Sequence, residues 1–126
     1  MKMLLVAAGG AVGSMARYQI GAWVLARTET WAFPLGTFIV NVLGCLVAGL
    51  LIGVAEYRDF LTLELRLLLF TGFLGGFTTF SAFGVETVAL IERGQVGVAA
   101  GYVAASVACG VAALFAAMKL AALAAA

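Results

Sequence analysis

Apolar residues fill four long stretches of this chain, Met3 to Leu25, Trp31 to Ala55, Leu67 to Ile91 and Val96 to Leu123. Each is close to or longer than the ~20 residues that carry an α-helix through the hydrocarbon of a bilayer. The pattern therefore predicts an all-α membrane protein with four transmembrane helices. The connections hold most of the charge: Arg27 and Glu29; Arg58, Asp59, Glu64 and Arg66; Glu92 and Arg93. Pro34, the only proline, stands where the second helix should begin, and Gly94 stands where the third should stop. Short connections predict a compact up-and-down bundle, a single domain over residues 1–126.

One stretch breaks the pattern from within. Thr71 to Phe83, TGFLGGFTTFSAF, lies inside the third span but carries Gly72, Gly75 and Gly76 together with four of the nine phenylalanines. The glycines loosen the helix, and the hydroxyls of Thr78 and Thr79 can replace lost backbone hydrogen bonds. Irregular backbone at membrane depth is tolerated only where protein buries it or a watery cavity meets it, and broken helices often mark ion sites. The sequence thus predicts a third helix broken near Gly75 to Phe80. A long kinked helix with its phenylalanines facing lipid is the alternative reading, since glycine is common in membrane helices.

Composition narrows the class. The chain is 65% hydrophobic and 10% charged, against about 25% charged in soluble domains, so an integral membrane protein in contact with the lipid bilayer is expected. A formal net charge of +1 provides no basic patch for nucleic acid and no acidic tail. With no histidine, general-base catalysis and metal ligation by imidazole are both excluded. No nucleophile with a nearby base can be found, so an enzyme is not expected. Cys45 and Cys109 fall inside apolar segments and read as small buried residues rather than a disulfide. Lys2 followed by MLLVAA resembles the opening of a signal peptide, but the apolar run before Gly9 is shorter than an ordinary one, so a retained helix is expected.

Charge hardly orients the bundle. Lys2, Arg58, Arg66 and Lys119 fall on one side and Arg27 and Arg93 on the other, a weak bias by the positive-inside rule. Such a chain can insert in both directions, which permits an antiparallel dimer; a fixed topology with both termini cytoplasmic is the other option. Gly9 with Gly13, Gly49 with Gly53, and Gly97 with Gly101 are small residues at helix-packing spacing. In lipid, close backbone approach substitutes for the missing hydrophobic drive, and a homo-oligomer is expected because one short bundle is cramped for a pore.

Polar side chains inside the spans carry the chemistry. Ser14 and Arg17 share a face of the first helix; Arg17 either snorkels to the headgroups or presents a fixed positive charge to an anion-filled cavity. Thr37, Asn41 and Cys45 form a stripe on the second helix, and Tyr102, Ser106 and Cys109 form one on the fourth. Asn41 either bonds a neighbouring helix or lends its amide hydrogens to a dehydrated anion. If helix resumes near Phe80, then Phe80, Phe83 and Glu86 follow at steps of three, roughly 4.5 Å apart along the axis. A phenyl ring has a positive edge, so rings held edge-on can stabilise a small anion without trapping it. Glu86 would repel an anion if ionised, and is expected at a pore mouth, protonated, or tied up in hydrogen bonds.

The run Thr71 to Phe83, with GTFIVNVLG at Gly36 to Gly44, GGAVGSMARY at Gly9 to Tyr18 and Glu86 downstream, resembles the Fluc (CrcB-type) fluoride channels over all four helices. The resemblance implies a dual-topology antiparallel homodimer in the bacterial inner membrane, with two pores that export fluoride passively. It implies pore phenylalanines at Phe80 and Phe83 and a pore asparagine at Asn41, with Thr37, Ser81, Glu86, Tyr102, Ser106 and Arg17 along the pathway. It also implies a structural sodium ion between the subunits, held by the backbone carbonyls of Gly75 and Thr78. One departure is Ala82, where the family often has a hydroxyl residue, leaving the polar track to Ser81 and Ser106; an altered conduction rate is expected. A small multidrug-resistance-type transporter is the alternative, but that design resembles a carboxylate-centred first helix, and the first-helix charge here is Arg17.

Overall fold

The computed structural model describes residues 1–56 and 60–126. Arg58 and Asp59, counted above among the loop charges, lie outside the described residues. Every regular element among the described residues is helical. Helix α1 spans Lys2–Thr28 and α2 spans Leu35–Ala55. Helix α3 covers residues 63–77 in three stretches: α-helical Leu63–Arg66, π-helical Leu67–Leu74 and α-helical Gly75–Phe77. Helix α4 spans Phe80–Glu92 and α5 spans Val96–Ala125.

Three spans, Leu35–Ala55, Leu63–Glu92 and Val96–Ala125, are long and apolar enough to cross a membrane. Helix α1 has the length, with 27 residues, but it is the least apolar of the four because it carries Ser14, Arg17 and Gln19. The helices and the outward apolar side chains (Met15, Trp23, Val107 and Phe115 among them) make a multi-pass membrane protein.

Local chemistry explains the boundaries. Pro34 sits just outside α2 with φ −75° and ψ 71°, and its carbonyl accepts the first turn's bond from Phe38 N–H at 3.2 Å. The second helix thus starts at Leu35, and residues 31–34 belong to the connection. The third span starts earlier than its apolar run suggests: Thr62 Oγ1 accepts from Leu65 N–H at 3.3 Å, placing Glu64 and Arg66 inside the first helical turn rather than in a loop. At the far end Gly94 has φ 75°, the one left-handed residue among those described. Its N–H bonds the Ile91 carbonyl and that of Gln95 bonds the Leu90 carbonyl, both at 2.9 Å, the paired closure that needs glycine at this place.

Glycine decides which helices touch. Helix α1 lies against the π-helical stretch of α3: a Cβ on Gly9 would overlap the Leu68 carbonyl, and one on Gly13 the Phe73 carbonyl. Helix α2 lies along α5 in the same way, with Gly49 against the Leu114 carbonyl and Gly53 against that of Met118. Gly97 and Gly101 differ, since among the described residues no neighbouring element comes within 4 Å of either one's Cβ position. Gly13→Ala is expected to force α1 from α3 at a cost of about 1–3 kcal/mol. Gly97→Ala is expected to stay within about 0.5 kcal/mol of the parent. Thermal unfolding in detergent of the two variants side by side checks the contrast.

Candidate functional site

The break in the third span falls at Thr78 and Thr79. Thr78 leaves the helix with φ −83° and ψ 158°, Thr79 continues extended at φ −150° and ψ 110°, and helix resumes at Phe80. In an unbroken helix the Thr79 N–H would bond the Gly75 carbonyl. Instead it donates to Asn41 Oδ1 at 2.8 Å, while Asn41 Nδ2 donates to the Thr79 carbonyl at 3.1 Å. One amide side chain thus satisfies both backbone groups of the extended residue. The hydroxyls finish the repair: Thr78 Oγ1 donates to the Leu74 carbonyl at 2.8 Å, and Thr79 Oγ1 accepts from Ala82 N–H at 3.2 Å. Since that N–H would otherwise serve the Thr78 carbonyl, the carbonyls of Gly75 and Thr78 both lose their helical donors to side chains.

Beyond the break, α4 directs Glu86 toward α2 and α5 and Phe83 toward α5. Glu86 accepts from Thr37 Oγ1 at 2.6 Å through Oε1 and from Tyr102 Oη at 2.7 Å through Oε2. Glu86 is thus tied up in hydrogen bonds, one of the settings expected for it. Tyr102 is fully buried. Phe83 packs against it with ring centroids 5.1 Å apart, and Phe80 stands 5.6 Å from Phe83. Phe80 differs from its neighbours in being 85% exposed on the subunit surface. Ser81 is also exposed, its Oγ 3.5 Å from Thr79 Oγ1. Ser106, one turn along α5 from Tyr102, has a buried Oγ without a hydrogen-bond partner among the described residues.

A cleft of about 690 Å³ runs from the break to the connection after α1. Ser14, Arg17, Thr37, Thr79, Ala82 and Glu86 line it, which puts Arg17 beside polar groups from the second and third spans. The least apolar helix thus contributes Ser14 and Arg17 to a cleft whose walls are otherwise mostly apolar. Cys109 departs from its expected burial: it is exposed, whereas Cys45 is half-buried, and both are free thiols. The Tyr102 and Ser106 stripe therefore does not continue inward at Cys109.

A family model described as "CrcB-like protein, Camphor Resistance (CrcB)" matches residues 4–118 of the chain. The chain belongs to the CrcB family. Similarity to curated relatives in the CrcB family runs nearly end to end. A protein of Methylobacillus flagellatus named "Fluoride-specific ion channel FluC" is 51% identical over 109 residues, covering 86% of this chain and 85% of its own. Proteins of the same name from Rhizobium etli and Agrobacterium fabrum are 49% and 45% identical over 120 residues, with 95% coverage of both chains in each case.

Two features of this CrcB-family site are not in the sequence reading. Phe33, from the connection after α1, meets Tyr102 edge-on at 5.3 Å and Phe38 at 5.4 Å. It joins Phe83 around a small core of Leu90, Ala99 and Tyr102. Its position in a predicted span start hid it; the proline next to it was the available signal. The second is the Thr79 backbone: the sequence points to the Thr79 hydroxyl, but not to the N–H and carbonyl that Asn41 holds.

Proposed function

We propose that the chain is a passive, fluoride-selective channel that works as an antiparallel homodimer in the bacterial plasma membrane. The observation that carries this reading is the Asn41–Thr79 pair, which joins the polar stripe of α2 to the break from which Phe80 and Phe83 project. The name shared by the curated relatives supports fluoride as the ion.

The chemistry follows from the groups at hand. A small anion leaving water must replace its hydration with donors that hold it weakly enough to let go. Asn41 uses one amide hydrogen on Thr79 and keeps the other for the ion. Phe80 and Phe83 offer ring edges, which are positive without a full charge. Glu86 is held between Thr37 and Tyr102, so its oxygens point at donors instead of at the anion. Ser81 and Ser106 supply hydroxyls along the same track, and Arg17 draws anions toward the cleft. Ala82 contributes no hydroxyl, which leaves the polar track to Ser81 and Ser106 and alters the conduction rate.

A second copy completes the arrangement. Phe80, so exposed on one subunit, would line a path formed with the partner. The carbonyls of Gly75 and Thr78, relieved of their helical donors, are oxygen ligands of the kind hard cations take. Those of both subunits would hold a sodium ion, which when bound supplies a fixed positive charge between the broken helices. Dual topology is tested with single cysteines at each terminus: labelling of each from both membrane faces is the expected result.

Fluoride efflux from proteoliposomes, followed with a fluoride electrode, tests the function. Prompt efflux that needs no proton gradient is expected. Proton-coupled uptake of cationic drugs with no fluoride efflux would favour the multidrug-transporter alternative.

A further inference from the structure

Asn41 is not the only residue of α2 that meets the break. Gly44, less than one turn further along the same helix, is buried, and a Cβ built there would overlap Thr78 Cγ2 and lie 3.5 Å from Phe77 Cδ1. At Gly9, Gly13, Gly49, Gly53, Gly72 and Gly76 the nearest atom belongs to a backbone; at Gly44 it belongs to the side chain of the residue where the helix opens.

That side chain cannot simply turn away. Threonine is stiff at χ1, and Thr78 Oγ1 is engaged with the Leu74 carbonyl at 2.8 Å. Rotation would break that bond, and the Phe77 ring closes the adjacent space. A methyl at position 44 would therefore push on the backbone of Thr78, next to the Thr79 groups that Asn41 holds.

We infer that Gly44 is a positioning residue for the ion pathway: the space it leaves is the seat of Thr78 Cγ2, and the seat sets where the third span opens. Asn41 then fixes the polar groups of the opening and Gly44 fixes its apolar side. The inference rests on the channel reading above, and concerns how the break is held rather than what passes it.

A compensation cycle tests it. Gly44→Ala adds the methyl, and Thr78→Ser removes Cγ2 but keeps the hydroxyl and the carbonyl. The full chain, both single variants and the double variant are purified, assessed by melting temperature, and reconstituted for fluoride efflux per assembled protein. Gly44→Ala is expected to lose about tenfold or more in flux, equivalent to about 1.4 kcal/mol or more on the barrier. Thr78 belongs to the break, so the flux of Thr78→Ser serves only as a second reference: adding Gly44→Ala to it is expected to change flux by less than about threefold, against the tenfold loss in the parent. Undiminished flux in Gly44→Ala overturns the inference, and so does a loss of about tenfold when Gly44→Ala is added to Thr78→Ser. A lower melting temperature with unchanged flux per assembled protein would make the contact structural only, which also overturns it. If Gly44→Ala fails to assemble, recovery of assembly and flux in the double variant supports the seat and failure to recover overturns it. If the parent chain passes no fluoride, the channel reading falls by itself; additive melting temperatures would then overturn the seat as well, and non-additive ones would uphold it.

Discussion

Asn41→Ala is expected to reduce fluoride flux to about one hundredth of the parent or less, equivalent to about 2.7 kcal/mol on the barrier. The substitution strips partners from two backbone groups at once, the N–H and the carbonyl of Thr79. A buried polar group left unpaired costs about 1–3 kcal/mol, so the break must either stay open at that cost or close. Closing returns the Thr79 N–H to the Gly75 carbonyl and swings Phe80 out of its place. Both outcomes remove the path, and only the first lowers the melting temperature strongly. Asn41→Asp separates support from conduction. It keeps an acceptor for the Thr79 N–H but loses the amide hydrogens and adds a negative charge, so it should retain more stability than Asn41→Ala while conducting no better. Efflux and melting curves of the two variants check this; full conduction by either contradicts it.

Phe80→Ile and Phe83→Ile form the second pair, and here the two rings should part company. Each substitution removes a positive ring edge from the proposed path, and a fall in fluoride efflux of about tenfold or more is expected for each. Their effects on folding should differ. Phe80 is 85% exposed on the subunit, so its replacement leaves the packing inside the subunit intact and should cost the subunit fold no more than about 0.5 kcal/mol. Phe83 packs on Tyr102, and its replacement also withdraws support from the residue that donates to Glu86. It should therefore lower stability by about 1–3 kcal/mol. Unchanged efflux in both variants would take the rings out of the pathway.

What could be read from residues alone followed the strength of the local signal. Four long apolar runs leave little choice but helices, and Thr78 and Thr79 behind three glycines mark the place where one of them opens. The pairing of Asn41 with that place was not legible. The stripe Thr37, Asn41, Cys45 says which face of α2 is polar, but not that it meets the third span at Thr79, because the meeting depends on two glycine-mediated contacts, α1 on α3 and α2 on α5. The same limit applies to Glu86, whose partners Thr37 and Tyr102 come from separate helices. The π-helical turn over Leu67–Leu74 has no signature in an apolar run and arises where the glycines of α1 press on it. Boundaries were set by capping details, such as the Thr62 hydroxyl, that a hydropathy pattern passes over.

Weak hydration-replacing donors at a helix break should let through an anion that is small and hard to dehydrate, and should do so better than they let through a larger one. Liposomes holding equal fluoride and chloride, with both ions followed outside during the same run, measure that directly. Fluoride should leave promptly while chloride stays behind, and Asn41→Ala vesicles should retain both. Equal release of the two anions, or fluoride release that survives loss of Asn41, would contradict the account.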